Sequence, residues 1–422
     1  MTSTPRRLSA AVLLVFVLLV VSVVPWRRGA IYTGGADSVV VAKAVVAIVA
    51  LGLAAAVYVV SRRRGTVGAR GLTLIVAIAA VSTLGALSTT DPGPSLVLVV
   101  RLLIATATIV LVVRVAPPLT VISMVLAAMG AVAVFTALSG LLVGITDGRL
   151  AGGFPEMAPN VLAGLAGPPA LGLTAYIARR GIRPASGLLF VTFVAIVLAT
   201  GSRTSLLVVV VGIVLVLLHS SRLPASTAIA GIAAVPVLVG LLALNDSVSQ
   251  ALSRGQNAQE LLTLSARTVA WEAVLSTPFD TWDKWIGVGL ASKTVEVQER
   301  WRDVQVLDSS WVSSIAQAGV IGTILLAVWV IWTLADSVRN RELRAITTPL
   351  LVLVLIRSFT ENGLYESSAT FVLFLVLALV LEPTTRFPVA ATVPTRYLLA
   401  APLPHTTREH SGVATAAAIV RT

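Results

Sequence analysis

A chain of 422 residues that is 57% hydrophobic and 12% charged, with a mean hydropathy of +0.95, carries far more apolar side chain than one water-soluble core can bury. Its net charge of +12 does not mark a nucleic-acid binder, because the arginines stand in short clusters between apolar runs and not on one basic face interleaved with aromatics. Cysteine is absent, which excludes disulfides and thiolate metal sites.

A helix needs about 20 apolar residues to cross a hydrocarbon core roughly 30 Å thick. In chain order such runs lie at 8–25, 38–60, 71–88, 95–113, 119–144, 160–178, 186–200, 204–219, 225–245, 309–335, 345–359 and 367–382. The pattern predicts an all-α polytopic membrane protein of about twelve transmembrane helices. The first run follows Arg6 and Arg7 as a signal peptide would, but no small-residue cleavage site follows it, so it is expected to be retained.

Charge gives the expected orientation. With the N-terminus in the cytoplasm, alternate connections hold Arg62, Arg63, Arg64 and Arg70, then Arg114, then Arg179, Arg180 and Arg183, then Arg222, then Arg339, Arg341 and Arg344. The opposite connections, such as "TTDPGP" and "TENGLYES", carry single arginines and more carboxylates; only "WRRG" runs against this. By the positive-inside rule both termini are expected in the cytoplasm. The expected division is 1–245 for the first nine helices, 246–307 for an outer loop, 308–382 for the last three helices and 383–422 for a Pro- and Thr-rich cytoplasmic tail.

The outer loop is the most polar part of the chain. Leu261, Leu264, Thr268, Trp271 and Leu275 recur at helical spacing, so an amphipathic helix is predicted over "ELLTLSARTVAWEAVL". Trp282, Trp285 and Trp301 follow, with a "GVG" turn at Gly287 to Gly289, and the loop reads as a lid at headgroup level. No internal repeat and no pair of broken helices is visible, and the ionisable residues gather at the outer rim, which disfavours a transporter.

A cation near hydrocarbon costs roughly 2.5 to 3.5 kcal/mol at midplane, so outer arginines need a reason. Arg203 stands in the very short turn of "ATGSRTSLL", Arg149 opens "GRLAGGFPEMAPN", and Arg267 lies in the lid helix. Arg101 and Arg357 lie near the outer ends of their helices, where each either snorkels to headgroups or points inward. Asn160 stands where an N-cap belongs before the next helix. Asp308 does so before "SSWVSSIAQAGVIG", where its carboxylate would accept from the N–H of Ser310 or Trp311.

Five stretches in register, "GRLAGGFPEMAPNVLAGL", "LATGSRTSLLVVVVGIVLVLL", "LSARTVAWEAVLSTPFDTWDKWIGVGL", "LDSSWVSSIAQAGVIGTILL" and "RSFTENGLYESSATFVLFLVLAL", resemble the successive motifs of the O-antigen ligase and polymerase family of bacterial membrane glycosyltransferases. The resemblance implies a GT-C-like fold in the bacterial cytoplasmic (inner) membrane. It also implies an inverting, metal-independent transfer, without cofactor, of a glycan from a polyprenyl-diphosphate carrier to an acceptor hydroxyl on a lipid or another glycan. Partners are then the lipid-linked donor, the acceptor and membrane lipids, and no nucleic acid. Arg203 and Arg267 are implied to bind the diphosphate, with Arg149 beside them. Guanidinium suits that task, since it meets two oxygens in a fork and stays protonated.

Many similar ligases have a histidine followed by asparagine where this chain has Asp308 and Ser309. Asp308 is therefore read in two ways, as a helix cap and as the base that takes the acceptor's proton, with Glu156, Glu296, Glu299 and Asp303 as fallback bases. A polymerase using the same site is the alternative enzyme, and a transporter of lipid-linked glycan the alternative class.

Overall fold

The computed structural model describes residues 4–28, 37–61, 64–143, 148–219, 267–299 and 302–387. The chain is an all-α polytopic membrane protein. Eight helices come first: α1 (Thr4–Val23), α2 (Ser38–Val60), α3 (Arg70–Leu87), α4 (Gly93–Val113), α5 (Pro118–Val143), α6 (Pro159–Arg180), α7 (Pro184–Ala199) and α8 (Arg203–His219). A lid segment follows, made of α9 (Arg267–Leu275), α10 (Trp282–Ile286) and an antiparallel hairpin of β1 (Thr294–Glu299) and β2 (Arg302–Val306). Last come α11 (Ser310–Arg339), α12 (Arg344–Ser358) and α13 (Ala369–Leu381). Among the described residues six helices, α2 to α6 and α11, are long and apolar enough to cross a membrane, and α1, α7, α8 and α13 hold shorter apolar stretches.

The predicted runs become helices wherever they are described. The run at 225–245, the first part of the predicted lid helix and most of the tail lie outside the described residues. The hairpin is a departure: "TVEVQE" and "RDVQV" alternate β-branched with polar residues, the period of a strand, and Thr294 pairs with Val306.

α13 is apolar all round, so nothing favours one face over another and the helix sits in the centre; Phe371 to Leu381 are all buried. At one end of the bundle the connections are basic and cross-linked. There Glu382 accepts from the N–H groups of Arg70 (2.8 Å) and Gly71 (3.2 Å), capping α3 from the far end of the chain. Arg70 also pairs with Asp336, and Arg179 donates to the Glu342 carbonyl at 3.3 Å.

The other end carries the lid. Its "WRRG" arginines are both engaged: Arg27 pairs with Asp37 at 2.7 Å, and Arg28 donates to the Gly152 carbonyl at 3.0 Å. Below the lid, α11 is broken at Gly319, whose φ of +66° and ψ of −168° leave the helical region. A break strands carbonyls that water cannot reach. The Gly287–Gly289 turn fills it, with Val288 N–H donating to the Ala316 carbonyl (2.9 Å) and Gly289 N–H to that of Gln317 (3.0 Å). Gly85 of α3 allows the same turn to approach, since a Cβ there would lie 2.3 Å from the Gly287 oxygen.

Candidate functional site

The turn between α7 and α8 is tight because Gly201, at φ +59°, adopts a conformation that side chains resist. Arg149 packs over its bare edge and donates through Nε to the Thr200 carbonyl (2.8 Å) and through Nη2 to Asn160 Oδ1 (3.0 Å). Arg203 opens α8 in the same turn, and Ser202 donates to Ser205 at 3.0 Å. Asn160 is not the cap expected: α6 begins one residue earlier, with Ala158 at the N-cap. Its side chain is turned to Arg149 instead.

Arg357 settles the choice between snorkelling and pointing inward. It is only 5% exposed, and it donates through Nη1 to Ser205 Oγ and through Nη2 to the Asn160 carbonyl at 3.1 Å. Gly164, one turn after Asn160 on α6, leaves room for it; a Cβ there would lie 2.7 Å from Nη2. Three helices, α6, α8 and α12, thus converge on one guanidinium.

Asp308 is not a cap either. Ser309 occupies the N-cap of α11 and makes no side-chain capping bond. The half-buried Asp308 carboxylate instead pairs with Arg267, which opens α9, at 3.4 Å from Nε to Oδ2. Burial raises the Asp308 carboxyl above its ordinary value, and Arg267 partly opposes that.

Glu361, on the connection after α12, was missed. Its backbone N–H bonds the Arg357 carbonyl at 2.8 Å, and its side chain faces Arg357, Asp308, Arg267 and Asn160. Burial raises its carboxyl, Arg357 opposes this, and the neighbouring Asp308 charge raises it further. The signal that could have found it is the spacing "RSFTE", which puts an acid four residues after an arginine at a helix end.

A cavity of about 340 Å³ opens between these groups. Arg357, Asp308, Glu361, Lys43, Arg101 and Lys293 are among its lining residues. Arg101 therefore points inward, and it donates to the Ser22 carbonyl at 3.4 Å. Glu366 also lines the cavity, accepting from Asn362 (2.7 Å), from Gln317 (2.9 Å) and from Lys293. Tyr365 donates to Gln317 Oε1, and burial pushes its phenol up. That network ties the lid to α11 and to the 359–368 connection.

Not every candidate joins the cluster. Arg149, Arg203 and Arg267 do not line the cavity, and of these Arg267 touches a residue that does. Glu156 and Glu296 are exposed and do not line it. The side chains of Glu299 and Asp303 lie outside the described residues. Among the described residues no three histidine or carboxylate side chains are grouped to hold a metal ion.

No curated protein matches the chain. Residues 188–327, from α7 through the lid and past the break in α11, match the family model described as O-antigen ligase. That stretch contains Arg203, Arg267 and Asp308. Over that stretch the chain is similar to the O-antigen ligase family.

Proposed function

We propose that the protein is an inverting glycosyltransferase that moves a glycan from a polyprenyl-diphosphate carrier to an acceptor hydroxyl, and that it does so on the outer face of the cytoplasmic membrane. The observation that carries this reading is the pairing of the lid arginine Arg267 with the Asp308 carboxylate, inside the family-matched segment that also holds Arg203.

In the proposed reaction the acceptor oxygen attacks the anomeric carbon, the bond from that carbon to the diphosphate oxygen breaks, and the bonding pair leaves with the diphosphate. One displacement inverts the anomeric centre. Asp308 takes the hydroxyl proton as the new bond forms. Arg203, Arg267 and Arg149 meet the negative charge that grows on the leaving group, a role worth several kcal/mol in a water-poor site. The Arg267–Asp308 pair supports this assignment by linking a diphosphate ligand to the base. A carboxyl raised by burial is also a better proton acceptor at neutral pH than an ordinary one, while it remains ionised.

The test is a transfer assay in membranes with a lipid-linked glycan donor, following release of the carrier diphosphate and the anomeric configuration of the product. A transporter would relocate the donor with its anomeric bond intact, and that result would dismiss the reading. A retained configuration would dismiss single displacement. A polymerase differs from a ligase only in taking a second lipid-linked glycan as acceptor, and the same assay with each acceptor separates them.

A further inference from the structure

Arg357 is buried in a place where packing alone does not call for a cation. One turn along the same three helices, Gly167 of α6, Val209 of α8 and Leu353 of α12 meet through apolar contacts, a Cβ at Gly167 lying 3.2 Å from Val209 and 3.4 Å from Leu353. The helices pack there without charge, so a guanidinium in the next layer is a cost that apolar side chains would not carry. Among the described residues Arg357 has no ion-pair partner, and Glu361 acts on it from beyond ion-pair distance.

Its two hydrogen bonds are specific. Ser205, which accepts from Nη1, stands two residues after Arg203 in the first turn of α8 and is bonded in turn by Ser202. Asn160, whose carbonyl accepts from Nη2, holds Arg149 with its side chain, and Arg149 holds the Thr200 carbonyl. One side chain of α12 is thus bonded beside Arg203 and to the residue that orients Arg149. It lies beyond the family-matched stretch, in an element that supplies neither arginine.

We propose that Arg357 is a positioning residue for the donor site, setting Arg203 through Ser205 and Arg149 through Asn160. The inference rests on the reading of Arg203 and Arg149 as ligands of the leaving diphosphate. A ligand misplaced by about 1 Å costs up to roughly 100-fold in rate, which gives a buried guanidinium at this point its use.

The test is Gly164→Ala in the full chain in nanodiscs, measured in the transfer assay. The new Cβ would lie 2.7 Å from Nη2, the free end of a flexible side chain, so the guanidinium yields while the helix gains a better helix former. Transfer should fall roughly 10- to 100-fold at an unchanged melting temperature. Arg357→Lys keeps the charge but loses the fork that spans both oxygens, and should fall likewise. Gly167→Ala, the same change one turn away, should transfer at the wild-type rate. Placement is read directly by labelling with phenylglyoxal and measuring peptide masses: Arg149 and Arg203 should react faster in Gly164→Ala and not in Gly167→Ala. On an Arg203→Lys background Gly164→Ala should cost less than it does in wild type, because one residue it acts through is already changed. Equal losses in the two glycine variants, unchanged labelling, full multiplication with Arg203→Lys, or wild-type transfer by Gly164→Ala beside an impaired Arg203→Lys each overturn the inference. Wild-type transfer by both Arg203→Lys and Arg149→Lys would fail the donor reading alone, and the labelling then still decides whether Arg357 places these arginines.

Discussion

Asparagine at position 308 keeps an acceptor for Arg267 but cannot take up a proton, so Asp308→Asn should be folded and inactive in transfer. Asp308→His should recover part of the activity by restoring a titratable base. Because Ser309 and not Asp308 holds the N-cap of α11, Asp308→Ala should spare the helix the roughly 0.5 to 2 kcal/mol that losing a true cap costs. Near-normal turnover by the asparagine variant would move the search to Glu361. The raised carboxyl of Asp308 has a kinetic consequence too. A base must be ionised, so activity should fall with falling pH along an acid limb placed above the ordinary carboxylate range. Arg267 opposes that rise; Arg267→Gln removes the opposing charge and should shift the limb of the residual activity to still higher pH. An unmoved limb would mean that Asp308 is not the titrating base. At the arginines, lysine keeps charge and loses the fork, so Arg203→Lys and Arg267→Lys should cut transfer by about 10²- to 10³-fold at normal protein abundance. Residue types were legible here because an arginine directly after a three-residue turn between two apolar helices has no packing reason to be there. Their partners were not: Asp308 and Asn160 look like caps in sequence, and only the observed N-caps, Ser309 and Ala158, and the bonds to Arg267 and Arg149 show that their side chains are committed to arginines.

Among the elements, the lid is held by its contacts with the bundle more than by its own helices. The Gly287–Gly289 turn is wedged against α11, and Gly287 at φ +73° would bring a Cβ within 2.4 Å of the Gln317 backbone. Gly287→Ala should therefore lower the melting temperature and loosen the lid, read as faster proteolysis within residues 267–309; unchanged values for both would show that the turn is not wedged. The helices of the bundle were legible because an unbroken apolar run of sufficient length has few alternatives in a bilayer. The break at Gly319 was not, since a glycine inside such a run is common and only the facing turn gives it a purpose. The hairpin was overlooked for a different reason: its alternation is short, and the tryptophans of the same loop drew the reading toward a lid at headgroup level.

For the molecule as a whole, the alternation of basic and lid-bearing ends predicts orientation. Reporters fused near Arg180 and Arg341 should report cytoplasm, and those near Pro92 and Glu156 the outside; a cytoplasmic signal at Glu156 would overturn the site's placement as well as the topology. Chelators should leave transfer unchanged if arginines do the work a divalent ion does elsewhere, and a reproducible metal requirement would remove that argument. The plugged break in α11 also has a consequence for biogenesis. Residues 287–289 precede residues 310–339 in the chain, so the ribosome delivers the patch before the helix it mends. When α11 enters the bilayer the donors for its two stranded carbonyls have already been synthesised, and the helix can open at Gly319 as it docks, without leaving those carbonyls bare in lipid.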